Sequence, residues 1–129
     1  MAQDRQSGAE GDAFGRNSAP KIANAIGATM TRRGSNEATL NGKRVVIKSA
    51  GPRTQSVGVS KLMLSHLDFV VGAFQRSDSK FGVFMLGADV YQKRMTSTRS
   101  KGPSAGRVGI VTKQVFMSEG KQIATVTLG

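Results

Sequence analysis

A glutamate and a lysine flank a tight turn in the most informative stretch of this sequence. Glu37 begins the segment Glu-Ala-Thr-Leu, the pair Asn41-Gly42 follows it, and Lys48 ends the segment Lys-Arg-Val-Val-Ile-Lys. Asn and Gly tolerate positive φ, so this pair predicts a two-residue primed turn that folds the two segments into a β-hairpin. In a strongly basic chain, an acid and a lysine on one hairpin indicate metal-assisted chemistry on a phosphodiester.

The second segment of this hairpin alternates between two faces. Successive side chains of a strand point to opposite sides of the sheet. We therefore expect Val45 and Ile47 on one face and Arg44, Val46 and Lys48 on the other. Lys48 then shares its face with an apolar side chain.

The residue types limit the kinds of metal site that are available. The sequence contains no cysteine and a single histidine, His66, which excludes disulfides, thiolate zinc sites and histidine-rich metal sites. Any metal would need oxygen ligands, which favours Mg²⁺, Mn²⁺ or Ca²⁺. His66 lies between a helical apolar stripe and a strand, where we expect a structural role.

The charge balance points to a polyanionic partner. Nineteen Lys and Arg face eight Asp and Glu, for a formal net charge of +11. Nucleic acid is the commonest polyanion, with an anionic membrane surface or an acidic protein as alternatives. The sequence has neither an apolar run near the ~18 residues of a membrane span nor a signal-peptide core, so we expect a cytoplasmic protein without membrane association.

The chain divides into a flexible arm over residues 1–17 and a single α/β domain over residues 18–129. Apolar periodicity and turn residues predict the elements of that domain. In chain order they are a helix at 18–26, the hairpin, an irregular stretch at 50–59, a short helix at 60–67, antiparallel strands at 69–74 and 81–86 around a turn at 77–79, a strand at 108–111 with or without a helical continuation, a turn at 118–121 and a strand at 123–128.

A basic segment in the second half is the strongest candidate for polyanion contact. Six basic side chains and no acid lie between residues 90 and 118, around a centre at 96–106 that we expect to be mobile. Few aromatic residues are present, which favours contact with a duplex backbone over stacking on single strands. The predicted nucleic-acid contacts, most of them in the basic loop at about 93–107, are Arg32, Arg33, Lys93, Arg94, Arg99, Lys101 and Arg107.

The order helix, hairpin, short helix, strand, strand resembles the core of the PD-(D/E)XK, or restriction-endonuclease-like, nuclease superfamily. In that family an acid begins the first hairpin strand, the second strand carries Glu-X-Lys, and a later strand opens with Asp and apolar residues. The stretches 40–50 and 67–72, the latter Leu-Asp-Phe-Val-Val-Gly, match that layout within residues 18–92. The resemblance implies a mixed β-sheet flanked by short helices.

The resemblance also assigns roles to individual residues. It places Glu37 at the first metal-binding acid, Lys48 at the motif lysine, and Val46 where the second acid belongs. It implies an endonuclease that cuts duplex DNA with Mg²⁺ or Mn²⁺, with Lys48 orienting the nucleophile. Asp68 is a further candidate metal ligand, and Gln55 could orient a phosphate or a water. Cutting both strands needs two sites, so a homodimer is an expectation.

Val46 cannot hold a metal, and this leaves three interpretations open. The protein is an active endonuclease in which another oxygen ligand replaces the second acid, or a catalytically inactive nuclease-like subunit that binds DNA or a partner. The third is a basic structural protein that neutralises RNA or DNA, for example in a ribosome or a virion.

Overall fold

A computed structural model describes residues 19–31, 36–51, 55–77, 80–97 and 108–127. Residues 19–26 form helix α1, and three shorter helices follow as α2 (Lys61–Leu64), α3 (Ala88–Arg94) and α4 (Lys113–Glu119). The strands of the described residues are β1 (Thr29–Met30), β2 (Glu37–Leu40), β3 (Lys43–Ala50), β4 (Ser56–Ser60), β5 (Phe69–Ser77), β6 (Lys80–Gly87), β7 (Thr96–Ser97), β8 (Val108–Thr112) and β9 (Lys121–Thr127). The arm expected at residues 1–17 lies outside the described residues.

Six strands form one mixed sheet in the order β1-β2-β3-β5-β6-β9. β3 and β5 run parallel, and the other neighbouring pairs run antiparallel. A parallel pair needs a crossover connection, and the segment with β4 and α2 makes it. The expected α/β class, with a mixed sheet and short helices, is therefore confirmed at that level.

A second, three-stranded antiparallel sheet has the order β4-β8-β7 and was not expected. We predicted an irregular chain at 50–59, and this was wrong for residue 50, which ends β3, and for 56–59, which belong to β4. Val57 and Val59 alternate into the core there, while Gly58 lies so close to β8 that a Cβ would come 2.9 Å from Val108 Cγ1. Pairing with β8, far along the chain, outweighs the local turn signal of the glycine.

Apolar layers cover both faces of the six-stranded sheet. Helix α1 contributes Ile22 to one layer, where it clusters with Val45 and Ile47 of β3. The other layer joins Val46 of β3 to residues of the second sheet and to Phe116 of α4. β3 is buried from both sides, which explains its uninterrupted Val-Val-Ile run.

The predicted hairpin is confirmed. Asn41 has φ 53° and Gly42 has φ 78°, so both turn residues occupy the left-handed region. The register across the turn pairs Leu40 with Lys43. The helix over residues 19–26 and the antiparallel strands β5 and β6 also follow the sequence expectation, with both strands longer than predicted.

The second half of the chain differs from the sequence expectation in several places. The predicted helix at 60–67 is limited to α2, and α3 was not expected. The predicted four-residue turn at 118–121 is wrong, because α4 continues to Glu119 and Gly120 alone separates it from β9. The strand with a helical continuation is the alternative found, as β8 and α4. Residues 96–97 pair as β7 with β8, while residues 98–107 and 78–79 lie outside the described residues. In the part of the chain that is described, no helix has the length and apolar character to cross a membrane.

Candidate nucleic-acid interface at the hairpin

Glu37 and Lys48 share one face of the hairpin. Glu37 on β2 lies directly opposite Val46 on β3, and directly opposed residues of an antiparallel pair point to the same side. Lys48 is two residues beyond Val46 and therefore on that side as well. Diagonal neighbours of this kind are separated by roughly 7–8 Å. The acid and the lysine thus lie near one another, as the turn predicted.

Lys48 is half-buried on the face that the second sheet and α4 cover. Its neighbour across the parallel ladder is Gly72, where a Cβ would come within 2.9 Å of the Phe116 ring. α4 can approach the sheet closely at this point because Gly72 has no side chain. Burial lowers the pKa of Lys48, since low-polarity surroundings disfavour the ammonium form.

Val46 is a core residue in the structure. It has no exposed surface and belongs to the apolar layer that includes Val59, Val70 and Phe116. The position where the nuclease resemblance expects a second acid is therefore filled by apolar packing. Glu37 is the carboxylate that remains on this face of the hairpin.

A cleft of about 500 Å³ opens beside β2 and β3. We call it the hairpin cleft; its lining residues are Thr31, Glu37, Ala38, Thr39, Arg44, Val45, His66 and Leu67. Arg44 and His66 are both exposed, so an anion in the cleft could meet a guanidinium and an imidazole. From the sequence we expected a structural role for His66. The one sequence feature that could have indicated its place in the cleft is its position just before β5.

Asp68 has a structural role that is visible in its hydrogen bonds. Its Oδ2 accepts from the Arg44 backbone N–H at 2.9 Å, and its own N–H donates to the Arg44 carbonyl at 2.8 Å. Its carbonyl accepts from the Ala88 N–H at 3.0 Å. Asp68 thereby joins the start of β3 to the start of α3.

Asp68 and Glu37 lie on opposite sides of β3. Two strand spacings and a two-residue offset separate their Cα atoms by roughly 12 Å, and the Asp68 carboxylate is turned toward Arg44. No group of three or more His, Asp and Glu in the described ranges lies close enough to hold a metal ion.

Gln55 lies at a different place from the hairpin cleft. Its carbonyl accepts from the Lys113 N–H at 2.7 Å, where α4 begins. It lines a depression of about 480 Å³ together with Lys113 and Met117. None of these residues lines the hairpin cleft.

Two of the predicted nucleic-acid contacts can be located. Lys93 and Arg94 are exposed in the last turn of α3. Arg94 forms a bidentate ion pair with Glu119, with Nε 2.6 Å from Oε2 and Nη2 2.8 Å from Oε1. Its charge is therefore partly neutralised, while Lys93 extends into solvent. The other five predicted contacts, Arg32, Arg33, Arg99, Lys101 and Arg107, lie outside the described residues.

The charge excess is visible on the described surface. Eight exposed basic side chains face three exposed acids, Asp68, Asp89 and Glu119. Glu119 is ion-paired with Arg94, and the Asp68 carboxylate accepts a hydrogen bond from the Arg44 backbone N–H. The exposed basic residues are Lys21, Lys43, Arg44, Arg76, Lys80, Lys93, Arg94 and Lys121.

Comparisons of this chain with known protein families, with curated proteins and with solved structures found no match.

Proposed function

We propose that this protein binds the phosphate backbone of duplex nucleic acid, in the first instance DNA, with the hairpin cleft as part of its contact surface. The observation that carries the proposal is the excess of exposed basic side chains over exposed acids. A surface of this kind attracts a polyanion and releases counterions when it binds one. The cleft adds Arg44, whose planar fork suits phosphate oxygens.

The aromatic residues support backbone contact over base stacking. The described phenylalanines and Tyr91 are buried, except for half-buried Phe69. Binding of single strands usually relies on exposed aromatic rings on which bases stack. The described surface offers charge without such rings, and this favours a duplex.

The test is the salt dependence of binding to a short labelled duplex, followed by fluorescence anisotropy. The logarithm of the affinity should fall linearly with the logarithm of salt concentration, with a slope near −0.9 for each phosphate contact. Five or more contacts would give a slope of about −4.5 or steeper. A flat response, or no binding at low salt, contradicts the proposal.

Metal-dependent hydrolysis of the bound phosphodiester is a second candidate. It is favoured by one observation, the placement of Glu37 and half-buried Lys48 on the same hairpin face. A Mg²⁺ ion at Glu37 would need its remaining ligands from water and substrate phosphates, which is common for this ion. If hydrolysis is absent, the protein is a nuclease-like binding subunit or a structural binding protein.

A plasmid-nicking assay with Mg²⁺ and with Mn²⁺ separates these outcomes. Hydrolysis requires nicking that disappears in both Glu37→Gln and Lys48→Met and persists in Asp89→Asn, which changes an exposed acid on α3. Binding without nicking selects the non-catalytic protein. Nicking that survives in both hairpin variants excludes this face as the catalytic site.

A further inference from the structure

A second groove lies between α4 and the strands β5, β6 and β9. It has a volume of about 300 Å³, and we call it the α4 groove; its lining residues are Phe74, Arg76, Phe84, Lys113, Met117 and Gln122. It adjoins the depression at Gln55, with which it shares Lys113 and Met117. None of its lining residues belongs to the hairpin cleft.

The α4 groove carries positive charge at its rim. Arg76 is exposed near the end of β5, Lys113 is half-buried at the start of α4, and Lys80 begins the neighbouring strand β6. The acids of the described residues lie elsewhere. Glu37 is on β2. Asp68, just before β5, and Asp89, just after β6, lie at the end of these strands that is remote from Arg76. Glu119 at the far end of α4 is paired with Arg94.

The stem of Arg76 packs against one wall of the groove. Its stem lies over Gly82, where a Cβ would come 3.3 Å from Arg76 Cδ and 3.2 Å from the Phe84 ring. On the other wall, Gln122 Nε2 donates to Thr125 Oγ1 at 3.2 Å, which fixes the amide along β9. The Arg76 stem is therefore supported by packing while its guanidinium is exposed, an arrangement that reduces the entropy lost on binding.

We propose that the α4 groove binds a backbone phosphate of the same nucleic acid, through the Arg76 guanidinium and the Lys113 ammonium. This inference rests on the proposed function and adds a contact site remote from the hairpin. A guanidinium fork and an ammonium point charge are the two groups that proteins most often direct at phosphate oxygens. Val70 of β5 is aligned with Glu37 across the sheet, because both pair with Val46. Arg76 is six positions beyond Val70, which corresponds to roughly 20 Å along the strand. The two sites would therefore contact phosphates several nucleotides apart.

The experiment compares the salt slope of duplex binding for the unmodified protein with that of Arg76→Gln and Lys113→Gln. Each variant should make the slope less steep by about 0.9, and the double variant by about 1.8. Lys21→Gln is the control, because it removes an exposed lysine of α1 on the other face of the large sheet. Thermal unfolding of each variant establishes that it is folded.

The outcomes distinguish this inference from the proposed function. If the unmodified protein binds with a steep slope and both groove variants behave like Lys21→Gln, the α4 groove is not a contact site and the proposed function stands. If the unmodified protein does not bind duplex, both proposals fail.

A second measurement needs no variant. The side-chain resonances of Arg76 and Gln122 should shift when duplex is titrated into isotope-labelled full-length protein, and unchanged resonances at saturating duplex would overturn the groove assignment. An acidic polypeptide such as polyglutamate serves as the competing anion. If it shifts these resonances and duplex does not, the groove binds carboxylates and the assignment is overturned.

Discussion

At the scale of single residues, the hairpin combines a polar pair with an apolar position between them. Glu37 and Lys48 lie on the same face of the hairpin, as the nuclease resemblance implies, yet Val46 beside them belongs to the core. The alternation of side chains along the two strands was sufficient to predict which residues share this face. The sequence did not reveal that the second sheet would cover it, because that depends on contacts between segments distant in the chain.

Lys48→Met should stabilise the protein at neutral pH by about 1 kcal/mol, because it removes a buried charge while keeping most of the side-chain volume. Burial lowers the pKa of Lys48 in the folded state, so the unfolded chain binds the proton more tightly. The stability of the unmodified protein should therefore rise as pH increases toward the ordinary lysine pKa, and the advantage of Lys48→Met should shrink. Urea unfolding at several pH values measures both effects.

Lys43→Met is the control for this prediction, because Lys43 is exposed on the same strand. It should give neither the stabilisation nor the pH dependence. Equal behaviour of the two variants would show that the burial of Lys48 has no energetic consequence.

Tyr91→Phe should lower the free energy of unfolding by about 1–2 kcal/mol. The single proton of the buried hydroxyl is shared between two carbonyl oxygens, that of Gly109 at 2.7 Å and that of Val57 at 3.1 Å, and so ties α3 to both β8 and β4. The change leaves buried carbonyl oxygens without this donor. Denaturant unfolding measures the loss, and Gln92→Ala, an exposed change in the same helix, should stay within about 0.5 kcal/mol. An effect of Tyr91→Phe as small as that control would contradict the role of the hydroxyl.

At the scale of elements, the segments with strong local signals were predictable. Asn41-Gly42 specified the hairpin, and dense apolar runs specified β5 and β6. β4 was missed because Gly58 and its polar flanks mask two inward valines, and α3 because it begins a strongly basic segment. Local patterns do not report pairing with β8 or burial of Tyr91, and these long-range contacts determine both elements.

Gly42→Ala should destabilise the protein, whereas Gly51→Ala should not. Gly42 has φ 78°, and no heavy atom lies within 4 Å of the place a Cβ would occupy, so alanine there is penalised by backbone conformation alone, at about 1 kcal/mol. Gly51 does not have positive φ, and the nearest atom to a Cβ is Gln75 Oε1 at 3.9 Å, so alanine should be neutral or stabilising by up to ~1 kcal/mol. Thermal and urea unfolding measure both. Equal destabilisation would contradict the primed turn.

At the scale of the whole molecule, charge is the feature that the sequence predicted most directly. The net charge of +11 required an excess of basic surface, and exposed basic side chains outnumber exposed acids among the described residues. The arrangement of that charge into a hairpin cleft and an α4 groove could not be predicted. It depends on how β5, β6 and α4 pack, which places Arg76 and Lys113 in one groove although they are distant in sequence.

The protein should prefer a duplex over a single strand of equal length and composition. The described surface presents charge without exposed aromatic rings, and a duplex has the higher phosphate density along its axis. Competition of unlabelled single strands against a bound labelled duplex measures the preference. Single strands that compete as well as duplex would contradict backbone recognition of this form.

The most direct test of the central claim is an amide NMR titration of the full-length protein with duplex at low and moderate salt. We predict that the largest shifts fall on the hairpin cleft, at Thr39, Arg44 and His66, and that they diminish as salt increases. Shifts confined to α1 and its side of the large sheet, or no shifts at low salt, would contradict it.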